Sequence, residues 1–424
     1  MKKFILNSTN ISKDSYVWNL FGSLILAFQS VIFLMIITRA IGLEEAGVFT
    51  FAYANANLFF LIGKYGMKPF QASDQKEQYP FAVYFASRVI TSFIMLVLAV
   101  FYLIYSAQIN NYPSAKLTAC IVICIFKIPD TFEDVFFGRL QQKGRMDIAA
   151  KAMTLRGFLI TVFFSIIIII SKNLLFSSIL STIFSMISLT AITFWIMPLL
   201  KKGGLRFHIK QVIDLLKNCF PLFLGSFLAL YISNAPKYSI DRILDDKTQA
   251  CYGFLSMPVL IIGLLNGIIF NPIIPEMSTY WLEKQFPLFF RKIFKQILII
   301  ILISFACILC AYCFGTEILS FMYNADLFDY KKELIILLIG GSLYGLSGLL
   351  STLITIIRFQ KSIALSYIIV STIALFFSDL VIQKYNLRGA AVLYAILMGI
   401  LCICFIILLL VGIVKYLKNE KKRK

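Results

Sequence analysis

The sequence predicts an all-α integral membrane protein, with about twelve transmembrane helices in two six-helix halves around a central cleft and both termini cytoplasmic. Three observations carry that expectation. Of 424 residues, 60% are hydrophobic and only 14% charged, against about 25% charged in soluble domains; mean hydropathy is +0.86. The apolar residues gather into twelve stretches, each near the roughly 20 residues that a bilayer-crossing helix needs. The 40 Lys and Arg outnumber the 21 Asp and Glu, giving a net charge of +19, and they concentrate in alternate connections.

The stretches are 15–37, 47–63, 81–105, 116–137, 152–170, 174–198, 220–238, 250–273, 293–314, 334–357, 362–382 and 389–414. The second, fourth and seventh are the least apolar, so they are expected to face protein or a hydrated cavity. The first has too long an apolar core, and no small-residue cleavage site after it, to read as a secretory leader. Lys and Arg, not acidic residues, set orientation. With both termini inside, the inside segments hold 28 of the 40 basic residues and the outside segments 10, while Arg88 and Lys127 fall within spans. The basic tail from Lys418 to Lys424 reads as an anchor on anionic lipid. Membrane lipids are therefore expected partners and nucleic acid is not.

The longest inside connection runs from Lys201 to Asn218. Within it Ile209, Val212, Ile213 and Leu216 follow helical spacing, with Lys210, Asp214 and Lys217 opposite, the pattern of a helix lying in the membrane interface. It divides the chain into an N-terminal half, 1–200, an amphipathic linker, 201–218, and a C-terminal half, 219–424. The halves echo each other after their first spans. Arg39 is followed by Gly42, Glu44, Glu45, Gly47 and Phe49; Arg242 is followed by Asp245, Asp246, Gly253 and Phe254. Repeats with an even number of spans keep their orientation, which points to an axis along the membrane normal.

Catalytic constellations are not expected. The nine cysteines lie mostly in apolar runs and the single histidine, His208, is in the linker; no metal site, disulfide framework or cofactor follows. Phosphate-gripping glycine loops, HExxH and Ser/His/Asp sets are missing, and outside connections stay below about 20 residues.

A charge at the bilayer centre costs at least ~2.5–3.5 kcal/mol, so each one needs a partner, a water path or a role. Lys127, Asp130 and Asp134 lie at i, i+3 and i+7 on one face of the fourth span, with Glu133 beside them and Pro129 interrupting the hydrogen-bond ladder. Arg88, on the third span, comes to a similar depth. Two arrangements stay open: an interhelical ion-pair network, or a hydrated cavity where cations receive an anionic ligand and a carboxylate carries a proton. Asp379 has no obvious local partner and is a candidate coupling carboxylate. At the outer mouth Arg39, Lys237 and Arg242 end the first and seventh spans. Asn19 and Gln29 on the first span, and the Asn234-Ala235-Pro236 break in the seventh, add polar, kinkable faces. Tyr16, Trp18, Tyr102, Tyr105, Trp195 and Trp281 read as interfacial belts.

The run Thr38-Arg39-Ala40-Ile41-Gly42-Leu43-Glu44-Glu45-Ala46-Gly47 resembles the polysaccharide-transporter branch, that of Wzx-like O-antigen and capsule repeat-unit flippases, of the MATE-like MOP exporter superfamily. Phe136-Phe137-Gly138-Arg139-Leu140-Gln141, Pro221 and Tyr238-Ser239-Ile240-Asp241-Arg242 are similar to that family's segments as well. The resemblance implies a flippase for undecaprenyl-diphosphate-linked oligosaccharides in a bacterial cytoplasmic membrane. It would be coupled to protons or sodium ions and partnered by a polymerase and glycosyltransferases. Arg39, Arg88, Lys127, Arg242, Asn19 and Lys237 are the expected substrate-binding residues, and Asp130, Asp134 and Asp379 the ion-coupling ones. A MATE-type drug or cation antiporter would want a predominantly acidic cavity. A polytopic enzyme of glycan assembly would need acid and base residues on an outer loop.

Overall fold

The computed structural model describes residues 2–74, 76–200, 208–270, 273–359 and 362–421, and among them every regular element is helical. A chain in hydrocarbon must satisfy each backbone N–H and C=O internally, which a helix does within one segment. The chain divides into two compact units, Met1–Phe227 and Leu228–Lys424.

In the first unit a short α1 (Lys2–Leu6) precedes α2 (Ile11–Ala40). Asn10 caps α2 by accepting the Lys13 amide at 3.0 Å, which satisfies one orphan first-turn donor. The turn after α2 contains Gly42 with φ of 128°, a conformation that a side chain would strain. α3 (Leu43–Lys64) then opens with Glu44 and Glu45 in its first turn, where carboxylates complement the helix dipole. α4 (Met67–Ser73) and α5 (Phe81–Asn110) follow. The fourth span arrives in two pieces, α6 (Ser114–Phe126) and α7 (Ile128–Gln142), parted at Lys127, where Pro129 supplies no amide to the ladder. α8 (Met146–Ser171) and α9 (Leu174–Leu200) complete this set.

Among α2 to α9 burial runs against hydropathy, whereas the weakly apolar seventh span, Ile209–Ile243, is only 17% buried. α3, the weakly apolar second span, is buried along most of its length, and α7 buries Thr131, Glu133, Asp134 and Arg139. α5 instead exposes Phe93, Val97 and Phe101, as a lipid-facing surface does. Phe33 of α2 and Phe164 of α8 meet with ring centroids 4.2 Å apart. Toward the end assigned to the cytoplasm, Tyr84, Phe137, Leu140 and Ile148 form a second cluster with Val212, Leu215 and Cys219.

Those last three residues open α10 (Ile209–Ile243), a single 35-residue helix, so the amphipathic stretch runs without a break into the seventh span. Its buried face is Val212, Leu215 and Cys219, while Ile209 and Ile213 are exposed. Side-chain hydrogen bonds account for the rotation relative to the sequence pattern. Tyr79 donates to the Asp214 carboxylate, and Asn218 donates to the Tyr79 hydroxyl at 3.0 Å. Positions 201–207 of the linker lie outside the described residues.

The second unit continues through α11 (Asp246–Phe270), α12 (Ile274–Leu282), α13 (Phe286–Tyr323), α14 (Lys331–Ile356) and α15 (Ile363–Lys421). α15 has 59 residues and contains Asn386 at φ 51°, ψ −137°. A Cβ on Gly389 would stand only 2.6 Å from the Val381 carbonyl oxygen. Eight residues of straight helix cover about 12 Å, so the chain doubles back at Asn386, and the contact requires glycine at 389. Among the described residues ten stretches are long and apolar enough to cross a membrane. α15 counts once among them although it crosses twice, and α6–α7 drops out because it is both broken at Lys127 and rich in charge. Twelve crossings result, as expected. Trp281 departs from the expected interfacial belt. It is 3% exposed and packs on Phe286, Phe289 and Tyr416, with centroids 5.3, 5.1 and 4.7 Å away.

Candidate functional site

The break between α6 and α7 gives the first unit its charged interior. Lys127, at the break, bonds the Tyr53 hydroxyl at 2.9 Å and stands 4.3 Å from that ring's centroid. Its ammonium is 3.8 Å from Asp130 one turn on. The other Asp130 oxygen accepts from Arg156 of α8 at 2.8 Å. Arg156, 3% exposed, also pairs with Glu133 and donates to the Ser185 hydroxyl of α9 at 2.7 Å. One turn below, Arg88 of α5 is fully buried and meets Asp134 at 2.8 Å. Arg88 also donates to the Gly63 carbonyl, which accepts from Thr91 at 2.8 Å as well. Lys64, partly exposed at the end of α3, stands 3.5 Å from the second Asp134 oxygen.

The rise of a helix places Asp130 and Asp134 only ~6 Å apart in depth, so two ion-pair groups, Lys127–Asp130–Arg156–Glu133 and Lys64–Asp134–Arg88, stand one turn apart. Four cations, Lys64, Arg88, Lys127 and Arg156, share three carboxylates, Asp130, Glu133 and Asp134. The Nε groups of Arg88 and Arg156 are buried and have no hydrogen-bond partner among the described residues. The interior is thus cationic by one charge and retains unspent donors. Nearer the cytoplasmic end, Arg139 pairs with Glu77 at 3.0 Å and donates to Gln142 at 2.7 Å.

In the second unit Asp379 finds a partner distant in sequence. Arg242 grips it in two bonds, Nη2 to Oδ1 at 2.5 Å and Nε to Oδ2 at 3.1 Å, and the Ser239 hydroxyl donates to the same carboxylate. The partners are 137 positions apart in sequence, so no local pattern announces the pair. Both side chains are substantially exposed, at 35% and 48%.

Of the residues expected from sequence, Arg88, Lys127, Asp130 and Asp134 come together in the first unit, and Arg242 and Asp379 in the second. Arg39 is exposed at the end of α2 and Asn19 is half-buried on the same helix. Lys237, half-buried on α10, stands outside the Arg242–Asp379 pair. Arg156, Lys64 and Tyr53 were not among the expected residues. Arg156 lies inside the predicted 152–170 stretch yet is counted with the basic residues of the preceding inside segment. Its place in an apolar run was the available signal.

Comparison with known proteins agrees with this architecture. The sequence profile of a family described as "Polysaccharide biosynthesis protein" matches residues 12–281. The capsular polysaccharide biosynthesis protein CapF of Staphylococcus aureus is 23% identical over 284 residues, 66% of this chain and 71% of CapF. The MATE multidrug transporter DinF-BH superposes with a TM-score of 0.67 at 16% identity over 94% of each chain. An outward-facing multidrug resistance MATE family transporter of the MOP superfamily superposes with a TM-score of 0.59 at 14% identity, over 98% of this chain and 95% of its own. The fold is that of MOP-superfamily transporters, and the chain belongs to the polysaccharide biosynthesis protein family.

Proposed function

We propose that this protein is a flippase that moves undecaprenyl-diphosphate-linked oligosaccharide repeat units from the cytoplasmic to the outer leaflet for surface polysaccharide synthesis. The observation that carries the reading is the excess cation in the bilayer-embedded network, with buried guanidinium donors left over. Such an interior favours an anion, and the diphosphate of a lipid-linked glycan is one. Lys64 and Lys127 are the groups that receive it, because their carboxylate contacts are long, 3.5 and 3.8 Å, whereas Arg88 and Arg156 each pair at 2.8 Å. The family membership and the likeness to CapF support polysaccharide as the cargo. A cation antiporter is disfavoured by the same charge balance, since an organic cation would be repelled.

Ion coupling in this reading falls to Asp130 and Asp134. Protonating either carboxylate releases a cation that its charge had held, so proton uptake and anion binding act on the same side chains. Membrane-bound polymerases and glycosyltransferases are the partners that such cargo requires. The deciding measurement is depletion of the protein in its host, with lipid-linked repeat units assayed on each leaflet. Accumulation on the inner leaflet is the expected result. Units that still reach the outer leaflet but stay unpolymerised would refute the flippase reading.

A further inference from the structure

The second unit holds a cavity of about 770 Å³ at the end that the Lys and Arg distribution assigns to the outside. It falls in the size range of small-ligand sites, roughly 300–1,000 Å³. Three segments build it: the turn between α10 and α11, the start of α14, and the tip of the hairpin at Asn386. Asp245, Thr248, Tyr330, Glu333, Tyr385 and Arg388 supply the polar and aromatic wall.

Two of these residues are left chemically incomplete. Glu333 is 9% exposed, and its Oε2 is buried with no hydrogen-bond partner among the described residues. Buried carboxylate oxygens without donors are rare, because the desolvation is uncompensated. Arg388, lining the same cavity, is exposed and forms no ion pair among the described residues. Asp245 caps α11 by accepting the Thr248 amide at 2.8 Å. Hydrogen bonds from Thr248 hold its carboxyl below the ordinary aspartate range, so it stays an ionised acceptor.

This set selects by elimination. A bare metal ion would want three or more clustered ligands, and no such group occurs among the described residues; the Arg388 guanidinium would repel it besides. A phosphate would meet two carboxylates. A neutral polyol meets neither objection, because each hydroxyl both donates and accepts. It donates to Asp245 and accepts from Arg388 and the tyrosine hydroxyls, and a turn of the Glu333 side chain toward the cavity would give its buried oxygen the donor it lacks. The rings of Tyr330 and Tyr385 offer flat apolar faces with a polar edge, which suit the C–H face of a pyranose.

We propose that this cavity is a sugar-binding subsite, in which Glu333, Arg388 and Tyr385 hold one pyranose unit of a glycan at the outer face. The proposal rests on the flippase reading for the origin of that glycan, not for the chemistry of the cavity. Its test is calorimetric titration of the full-length protein in lipid nanodiscs. The probe is lipid-free repeat-unit oligosaccharide, released by mild acid from the surface polysaccharide of the producing cells. The expected result is saturable binding that weakens at least tenfold in Glu333→Gln and in Arg388→Ala. Arg388 is exposed, so its variant folds even if Glu333→Gln does not. Failure of folded wild-type protein to bind, or equal affinity in wild type and Arg388→Ala, overturns the subsite. The depletion assay separates the two readings. Trapped inner-leaflet cargo with variant-insensitive glycan binding removes the subsite alone, whereas normal translocation with variant-sensitive binding removes the flippase alone.

Discussion

Removing Arg156 strands Glu133 and leaves Asp130 only its longer contact with Lys127. Breaking a buried pair by deleting one partner costs about 3–5 kcal/mol. Arg156→Ala should therefore lower the thermal midpoint of the purified protein sharply, and a midpoint equal to wild type would count against a shared network. Lys127 is in a different position. With its side chain gone, Asp130 still has Arg156, so Lys127→Ala should unfold near the wild-type temperature yet lose export by tenfold or more, read as surface polysaccharide per cell. At this scale the sequence was half legible. Lys127, Asp130 and Asp134 announce a common face because helical spacing is local. Depth alone matches Arg88 to Asp134, as one of two open arrangements, whereas Arg242 with Asp379 joins helices that no spacing rule connects.

Helix breaks decide where those side chains stand. Pro129 removes a ladder hydrogen bond next to Lys127, and α6 and α7 part at that residue. Pro129→Ala restores the missing donor and favours one continuous helix. The expected outcome is a protein of unchanged or slightly raised thermal stability with export reduced severalfold; full export would show that the break is dispensable. Gly389 presents the opposite case, because any side chain there meets the Val381 carbonyl. Gly389→Val should cut the yield of monodisperse protein, measured by size-exclusion chromatography against wild type. Pro129 was readable in advance, since proline carries its constraint in its own ring. The turn at Asn386 was readable only as a gap between two apolar stretches. The protein-packed face of α10 lies beside the apolar stripe that periodicity shows, and Tyr79, distant in sequence, bonds Asp214 and Asn218 at its edge.

Across the whole chain, span number and helical class were legible because hydrocarbon leaves the backbone so few choices. Orientation rests on Lys and Arg asymmetry and has a direct check in a cysteine-free background. In intact cells an impermeant maleimide should label Asn386→Cys, and should label Glu283→Cys only after permeabilisation. The reverse pattern would invert the topology. The hairpin at Asn386 also bears on how the protein is made. With a single non-helical residue between the last two crossings, there is no outer loop for the insertion machinery to pass across the bilayer separately. The two segments should enter the membrane together as a preformed pair. A nascent chain halted shortly after residue 386 would then remain on the cytoplasmic side until its second arm was synthesised, and the outer cavity wall would exist only once biogenesis was nearly complete.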